Sequence, residues 1–321
     1  MTRDTSVEMN APNFASSADA ARFRAGFWRL ADPKISLASF ASIFLAACLA
    51  GAAGPIHWGW LVLTILGVFA IEVAKNASGE VFDFDSGTDL AVRSEDRSPF
   101  SGGKRVLVDR LLTRRQTWAV ALVSYGIGVV AGLSIVIWRE PGVLWLGLLG
   151  VALAFLYHAP PLSLSYRGWG ELAVALCYGP FLSSGVYLVQ RGELTASVVA
   201  ASVPLGLLIG AFLWINEFPD YHADRESGKR NLVVRMGRLR ASRAFATICA
   251  CAVLCIVFAP IAGVSRGVLA GLGCAPFLWR AASLVLRHPE ETERIIPAQA
   301  ATLFGFVAYA VLAGIGILLS T

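Results

Sequence analysis

The chain has 321 residues, of which 56% are hydrophobic and 15% are charged, and its formal net charge is +5. Soluble domains carry about 25% charged residues, so this composition, with a mean hydropathy of +0.63, excludes a disordered chain and an ordinary soluble enzyme. It indicates a membrane protein with several spans, whose basic residues follow the membrane rather than a nucleic acid.

The N-terminal part of the sequence differs from the rest. Its first 30 residues are polar and rich in Ala and Ser, and they carry Arg22, Arg24 and Arg29 but no apolar core of a signal peptide. We therefore expect residues 1–30 to form a polar cytoplasmic tail and residues 31–321 to form one transmembrane domain.

Apolar segments that can cross a bilayer follow in chain order. A spanning helix needs about 20 mostly apolar residues, and nine segments come close to that length. These are 35–53, 58–75, 117–137, 142–158, 170–190, 195–215, 243–263, 267–286 and 298–319. The predicted fold is all-α, a polytopic membrane bundle of about nine transmembrane helices.

The Lys and Arg residues predict the orientation of this bundle. With the N-terminus inside, only Arg139, Arg191 and Arg266 of the 27 basic residues fall in the outside turns. Because basic residues favour the cytoplasmic side, we expect the N-terminus and the long loops 76–116 and 216–242 to be cytoplasmic and the C-terminus to be outside. The expected location is the inner membrane of a bacterium.

The first long loop begins with an acidic pattern. If the second predicted helix continues past Asn76, then Asn76, Glu80 and Asp83 share one of its faces, at i, i+4 and i+7. A glycine at position 87 can release the chain from the helix, so that Asp89 can fold back. The pattern predicts a cluster of oxygen ligands at the end of this helix.

The second long loop repeats the pattern after the sixth predicted helix. Asn216, Asp220 and Asp224 would stand at i, i+4 and i+8 of a continued helix. Both helices run from outside to inside, so we expect the two acidic stretches to meet at one cavity on the cytoplasmic face.

Stacked carboxylates repel one another, so two such stretches at a membrane surface indicate a bound cation. Oxygen ligands, waters and substrate phosphates suit Mg²⁺, and Lys229 and Arg230 beside them can neutralise a departing diphosphate. The alternative interpretation is a pair of solvated acidic loops, in which the basic residues simply obey the positive-inside rule.

Three motifs resemble those of the UbiA-type intramembrane prenyltransferases, and they are most similar to the 1,4-dihydroxy-2-naphthoate polyprenyltransferase branch. Residues 76–89 read N-x3-E-x2-D-x5-D, residues 157–171 read Y-H-A-P-P-x4-Y-R-G-x-G-E, and residues 220–232 read D-x3-D-x3-G-K-R-N-L. The resemblance covers about residues 30–319. It implies a UbiA-like fold with active-site loops on the cytoplasmic side.

The resemblance also implies a reaction. A polyprenyl group would pass from its diphosphate to an aromatic acceptor in quinone or menaquinone biosynthesis, with Mg²⁺ as cofactor and the prenyl tail leaving sideways into lipid. The catalytic residues implied are Asn76, Asp83, Asp220, Asp224, Tyr157 and Tyr166. The metal ligands implied are Glu80, Asp83, Asp89, Asp220 and Asp224. The residues implied for the diphosphate are Lys34, Arg97, Lys229, Arg230, Arg167 and Asn216.

The chain departs from the family pattern at three places. Family members usually have Asn-Asp where this chain has Gly79-Glu80, and Thr where it has Asn231. Many members have Arg-Pro near the first helix, where this chain reads Asp-Pro-Lys and leaves Lys34 as the cation. These departures leave the reaction class intact and leave the acceptor open.

Other functions remain as alternatives. Within the family, the acceptor could be 4-hydroxybenzoate, homogentisate, chlorophyllide or haem. From other classes, a polytopic transporter is disfavoured because the predicted spans hold almost no mid-span charge, Glu72 and Lys75 lying near one end. A non-catalytic assembly subunit finds its support in Glu80. The partners expected are a prenyl diphosphate, an aromatic small molecule and the lipid bilayer.

Overall fold

The computed structural model describes residues 17–320, and within them the chain is helical and contains no strand. The predicted all-α fold is therefore confirmed. Positions 1–16 of the predicted tail and Thr321 lie outside the described residues.

The described chain forms a succession of α-helices joined by short turns and two long loops. They are α1 (Ser17–Ala31), α2 (Pro33–Ala53), α3 (Trp58–Asp85), α4 (Thr88–Ala91), α5 (Arg114–Trp138), α6 (Val143–Leu156), α7 (Gly170–Leu176), α8 (Leu182–Arg191), α9 (Ala196–Asn216), α10 (Tyr221–Glu226), α11 (Leu232–Met236), α12 (Arg238–Phe258), α13 (Ala275–Arg287) and α14 (Thr292–Leu319). Shorter 3-10 turns occupy Ser94–Asp96, Leu164–Tyr166, Ala259–Ala262 and Arg266–Cys274, and a π-helical turn occupies Cys177–Phe181.

Eight helical stretches of the described chain are long and apolar enough to cross a membrane. They are α2, α3, α5, Gly170–Arg191, α9, Arg238–Ala262, Arg266–Arg287 and α14. The predicted span at 142–158 is instead the short helix α6, whose 14 residues rise about 21 Å. That is less than the roughly 30 Å of a hydrocarbon core, so α6 alone falls short of a full span.

The spans pack through small residues where backbones approach closely. A side chain built at Gly128 of α5 would meet Ile71 of α3, and one built at Gly267 would meet the backbone of Gly316 in α14. Close approach of this kind is how membrane helices associate without a hydrophobic driving force. The largest buried cluster lies among α2, α9, α12 and α14, where the Tyr309 hydroxyl donates to a backbone carbonyl of α9, 2.6 Å away.

The stretch from α7 to α8 is one span with a break. Gly179 has non-helical dihedral angles, φ −90° and ψ −105°, and Pro180 follows it. Proline removes a backbone donor and clashes with the preceding turn, which accounts for the π-helical turn here. The break lets Gly179 lie against Gly206 of α9.

The two acidic stretches end their helices differently. Helix α3 continues to Asp85, as the sequence predicts, so its three site residues share one helix. Helix α9 ends at Asn216, and α10 begins only at Tyr221. The predicted continuous i, i+4, i+8 stripe in the second loop is therefore wrong, because Pro219 lies in the turn between the two helices, and proline disfavours a helical residue before it.

Candidate active site

A polar cavity of about 540 Å³ opens where α3 and α9 end. Both acidic stretches border it, so the expectation that they share one cavity is met. Its lining includes ten of the predicted site residues: Lys34, Asn76, Glu80, Asp83, Asp89, Tyr157, Asn216, Asp220, Asp224 and Lys229. The chain contains only four lysines, Lys34, Lys75, Lys104 and Lys229, and all four line this cavity.

The two long loops also contact each other directly. The Thr88 hydroxyl donates to Ser227, 3.0 Å away, and the Arg93 guanidinium lies 2.9 Å from the Glu226 carboxylate. These contacts are made by residues that lie within the acidic stretches or shortly after them. They hold the stretches side by side.

Three predicted diphosphate ligands lie elsewhere. Arg97, Arg167 and Arg230 are exposed and do not line the polar cavity. They were predicted from the family resemblance, and a basic residue in a loop can also reflect the positive-inside rule. Their assignment to the diphosphate stays a prediction without support from the cavity.

Two side chains of the loop after α6 lie against Asp83, and one of them donates a hydrogen bond to it. The Tyr166 hydroxyl donates to its Oδ1, 2.7 Å away, and His158 Nε2 lies 3.6 Å from its Oδ2. Burial lowers the pKa of His158 to about 4, so the ring is neutral at pH 7. Tyr166 therefore acts as an orienting donor to Asp83, although it does not itself line the polar cavity.

Gly79 makes room for this arrangement. A side chain built at position 79 would come within 2.6 Å of the His158 ring. The departure from the family pattern at this position therefore has a structural reason: the imidazole occupies the space that a larger residue would need.

Asp224 is fixed by the residues that follow it. Its Oδ2 accepts a hydrogen bond of 2.7 Å from the Asn231 amide, and its Oδ1 lies 3.4 Å from Lys229 Nζ. Asn231 also caps α11, since its side-chain oxygen accepts from Val234 N, 2.8 Å away. Asn231 therefore couples the start of α11 to the carboxylate.

Glu80 and Asn76 tie α3 to neighbouring segments. One Glu80 carboxylate oxygen accepts from the backbone N–H of Leu107, 2.7 Å away, and the Asn76 amide donates to the Leu30 carbonyl, 2.9 Å away. Both side chains line the cavity, and both also hold the long loop or helix α1 in place.

The cations near the first helix have partners as well. Lys34 Nζ donates to the carbonyl oxygen of Pro99, 2.9 Å away, and Lys104 Nζ lies 2.5 Å from the Asp32 carboxylate. The altered Asp-Pro-Lys stretch therefore supplies both a cation at the cavity rim and an anchor for Lys104.

Three carboxyl groups of the site have raised pKa values, two of them high enough to favour the protonated form at pH 7. Burial, and next the neighbouring carboxylates of α3, raise the pKa of Asp89 to about 8. Burial and the Asp224 carboxylate raise the pKa of Asp220 to about 8. Burial raises the pKa of Asp224 itself to about 6, a smaller rise because Lys229 stabilises its ionised form. A cation placed among them would favour the ionised forms.

The residues fit a hard cation. Asp89 Oδ2, Asn216 Oδ1 and Asp220 Oδ1 are buried and find no hydrogen-bond partner in the part of the chain that the structure describes. Oxygen donors of this kind suit Mg²⁺. Among residues 17–320, no three Asp, Glu, His or Cys side chains converge to hold an ion by themselves, and Mg²⁺ typically takes only one or two carboxylates beside waters and substrate phosphates.

A second acidic pair was not predicted. Glu217 follows Asn216 at the end of α9, and burial, then Glu171 and Asp224, raise its pKa well above the ordinary value. Glu171 accepts a hydrogen bond of 2.6 Å from Leu232 N. In the sequence, the one indication that Glu217 belongs to the site is its position beside Asn216. Its proximity to Glu171 could not be predicted, because the two residues are far apart in the sequence.

An apolar groove of about 330 Å³ adjoins the polar cavity. It runs along α3, α5, α6 and the broken span from α7 to α8, and its walls are almost wholly aliphatic and aromatic. Among the described residues, only Lys75 and Tyr157 line both the groove and the polar cavity. The two spaces therefore meet at these two residues, which places a charged compartment and an apolar one end to end.

Comparison with known proteins identifies a family for the sequence. The sequence model of the UbiA prenyltransferase family matches residues 40–306. The chain is 27% identical over 236 residues to the 1,4-dihydroxy-2-naphthoate octaprenyltransferase of Bacillus subtilis, covering 74% of each chain.

Two solved structures share the fold. The apo UbiA homologue of Aeropyrum pernix superposes with a TM-score of 0.65 at 18% identity, covering 89% of this chain and 98% of that one. The UbiA homologue of Archaeoglobus fulgidus bound to GPP and Mg²⁺ superposes with a TM-score of 0.57 at 14% identity, covering 91% and 99%.

Proposed function

This chain belongs to the UbiA prenyltransferase family, and from that premise we propose that it transfers a polyprenyl group from its diphosphate to 1,4-dihydroxy-2-naphthoate or a related quinone precursor, with Mg²⁺. The enzyme is a membrane-embedded prenyltransferase. The naphthoate acceptor is supported by the relative from Bacillus subtilis, which carries that activity in its name.

The observation that carries the proposal is the junction between the two cavities. A prenyl diphosphate has a highly charged head and a long apolar tail, and here a lysine-rich polar cavity opens into an apolar groove. We assign the diphosphate to the polar cavity and the tail to the groove. The allylic carbon that joins head and tail then lies at the junction, beside Tyr157.

The residues of the polar cavity would bind the metal ion and the diphosphate. Mg²⁺ would be held by ligands from the set Glu80, Asp83, Asp89, Asp220 and Asp224, and the use of Mg²⁺ is supported by the UbiA homologue of the same fold that is bound to GPP and Mg²⁺. When bound, the ion supplies positive charge that stabilises the departing diphosphate. Lys229, which lies against Asp224, would add a second positive charge at the diphosphate oxygens.

The proposed reaction breaks one carbon–oxygen bond and forms one carbon–carbon bond. The C1–O bond of the prenyl diphosphate breaks and its electron pair leaves with the diphosphate. An electron-rich ring carbon of the acceptor forms the new bond to C1. When that carbon bears the carboxylate, the carboxylate leaves as CO₂ and its bonding electrons restore the aromatic ring. When it bears hydrogen, the proton leaves to water or to the released diphosphate, and the C–H bonding electrons restore the ring. Tyr157 offers an aromatic ring near the positive charge at C1, and the apolar lining of the groove disfavours water that would otherwise capture it.

We further propose that the active-site loops face the cytoplasm of a bacterium, with the N-terminus inside and the C-terminus outside. The support is the distribution of Lys and Arg, which leaves only Arg139, Arg191 and Arg266 for the opposite face.

The test uses the purified protein in lipid nanodiscs with geranylgeranyl diphosphate, Mg²⁺ and a panel of acceptors, with and without EDTA. We expect a prenylated naphthoquinol from 1,4-dihydroxy-2-naphthoate that is lost with EDTA. Asp224→Asn should lower kcat by at least about 100-fold, because it removes a charge at the diphosphate site. The matched control is Glu193→Gln, which removes an exposed carboxylate outside both cavities.

The outcomes separate the alternatives. Product from 4-hydroxybenzoate or homogentisate alone would show that the enzyme uses one of these acceptors and not the naphthoate. Full activity of Asp224→Asn would contradict the assignment of the acidic stretches to the diphosphate site.

A further inference from the structure

Lys75 differs from the other three lysines of the chain. Lys34, Lys104 and Lys229 each have an oxygen partner within 3.4 Å. In the part of the chain that the structure describes, the Lys75 side chain makes no hydrogen bond and no ion pair, and its Nζ lies 5.4 Å from the centroid of the Tyr157 ring. Acidic side chains of the described residues lie in the region around it, but none of them comes within ion-pair distance.

The nearest acid on the same helix does not supply one. Glu72 lies one turn before Lys75, but both of its carboxylate oxygens accept hydrogen bonds from other groups. Tyr178 donates to Oε1 over 2.9 Å, and Ser39 donates to Oε2 over 3.0 Å. Glu72 is thereby held in place, beyond ion-pair distance of Lys75, and a space beside the ammonium stays open at the junction of the cavities.

Lys75 lies deeper in the bundle than Asp83, at the end of the polar cavity that meets the apolar groove. It precedes Asp83 by eight residues on α3, which is about 12 Å along the helix axis. An ammonium at that depth has polar surroundings on one side and the apolar groove on the other. The chemistry that fits is an anionic group on a flat apolar body, since the ammonium would pair with the anion while Tyr157 packs on the body.

We propose that Lys75 binds the carboxylate of the aromatic acceptor and so selects carboxylated rings over rings without a carboxylate. The inference rests on the proposed prenyl transfer to an aromatic acceptor. It assigns the anion of that acceptor to one residue. With its carboxylate at Lys75 and its face on Tyr157, the ring lies at the junction where the allylic carbon is expected.

The first test compares two acceptors in each of three proteins. The acceptors are 1,4-dihydroxy-2-naphthoate and 1,4-dihydroxynaphthalene, which lacks the carboxylate, and the proteins are wild type, Lys75→Met and Lys75→Arg. For Lys75→Met we expect the preference for the carboxylated acceptor in kcat/KM to fall by about 10- to 100-fold, the effect of one charge-assisted hydrogen bond. Lys75→Arg should retain most of that preference.

The control is Arg280→Gln, which removes one exposed positive charge on α13, remote from both cavities; its preference should equal that of the wild type. The inference is overturned if Lys75→Met raises KM for the prenyl diphosphate while the acceptor preference stays the same. That result would assign Lys75 to the diphosphate.

A binding measurement distinguishes this inference from the proposed function. The probe is 1-hydroxy-2-naphthoate, a carboxylated naphthol, titrated into nanodisc-bound wild type and Lys75→Gln by calorimetry, with thermal unfolding to verify that the variant is folded. Weaker binding to the variant by about 10-fold or more would support the inference even if no acceptor is turned over. Equal binding, or no binding to either protein, would overturn it even if the enzyme is active.

Discussion

Single residues explain where the chain departs from its family. Gly79 would be read from sequence alone as a lost side chain, yet the space beside it is filled by His158, which lies against Asp83. The sequence identified Asp83 and Tyr166 as site residues from their motifs. Their hydrogen bond could not be predicted, because 83 residues separate the partners and only the fold brings them together.

The hydrogen bond from Tyr166 to Asp83 can be tested by mutation. Tyr166→Phe removes the donor to Asp83 and leaves the ring in place, so the carboxylate loses its fixed orientation. We expect the Mg²⁺ concentration for half-maximal activity to rise by about 10- to 100-fold, as for other residues that orient a metal ligand. The measurement is a Mg²⁺ titration of initial rates.

Tyr221→Phe is the matched control, since its hydroxyl makes no hydrogen bond within residues 17–320 and lies outside the cavity. An unchanged Mg²⁺ requirement in Tyr166→Phe would show that Asp83 does not depend on this donor.

At the scale of helices, the spacing of apolar residues predicted most of the membrane spans. It failed where a proline ended a helix and where a helix was too short to cross the membrane. Long apolar stretches gave α2, α3, α5, α9 and α14 close to their predicted bounds. The break before α10 was missed although Pro219 was visible, because the acidic spacing favoured a continuous helix. The shortness of α6 was missed because the apolar residues continue beyond its last turn, into the loop that carries Tyr157.

The role of helix α6 as a wall of the apolar groove can be tested. Gly150 of α6 lines the apolar groove, and a side chain built there meets nothing within 4 Å. Gly150→Phe should fill the groove and raise KM for geranylgeranyl diphosphate by about 10-fold or more, while dimethylallyl diphosphate, whose tail is far shorter, should be affected little.

The matched control is Gly126→Phe, at an exposed position of α5 that does not line the groove. Steady-state kinetics with the two diphosphates gives the comparison. Equal KM changes for both chain lengths would contradict the assignment of the tail to this groove.

At the scale of the whole molecule, the sequence predicted that two distant loops would share one cavity, and the contacts between Thr88 and Ser227 and between Arg93 and Glu226 hold them together. It could not predict that an apolar groove would open beneath that cavity. The groove arises from packing between helices, and periodicity reports only which residues are apolar. For the same reason, only the structure reveals that the Lys75 side chain makes no hydrogen bond or ion pair with the described residues.

The raised carboxylate pKa values predict how stability depends on pH and Mg²⁺. Asp89 and Asp220 have folded pKa values of about 8, well above the roughly 3.9 of an unfolded Asp. Between about pH 6.5 and 8 the folded state therefore binds more protons than the unfolded state, so stability falls as pH rises. His158 is neutral in both states over most of this window.

We expect the unfolding temperature of EDTA-treated protein in detergent to fall between about pH 6.5 and 8.5, and the rise caused by Mg²⁺ to be larger at the higher pH, where fewer protons compete for the carboxylates. Nano-scale fluorimetry at several pH values provides the data. A Mg²⁺ effect that shrinks with rising pH would contradict the ligand assignment. Asp89→Asn should flatten the pH dependence.

Every lysine of the chain lines one cavity, so amine-reactive reagents can be used to probe that cavity. Among side chains, primary amines occur only on these four lysines, so a reagent that acylates primary amines would label the cavity and, besides it, the N-terminal α-amino group. Labelling measured at each lysine by peptide mapping would therefore report occupancy of the cavity. A bound diphosphate should shield Lys229 before Lys75, so the order in which lysines are protected as ligands are added would record how the cavity fills.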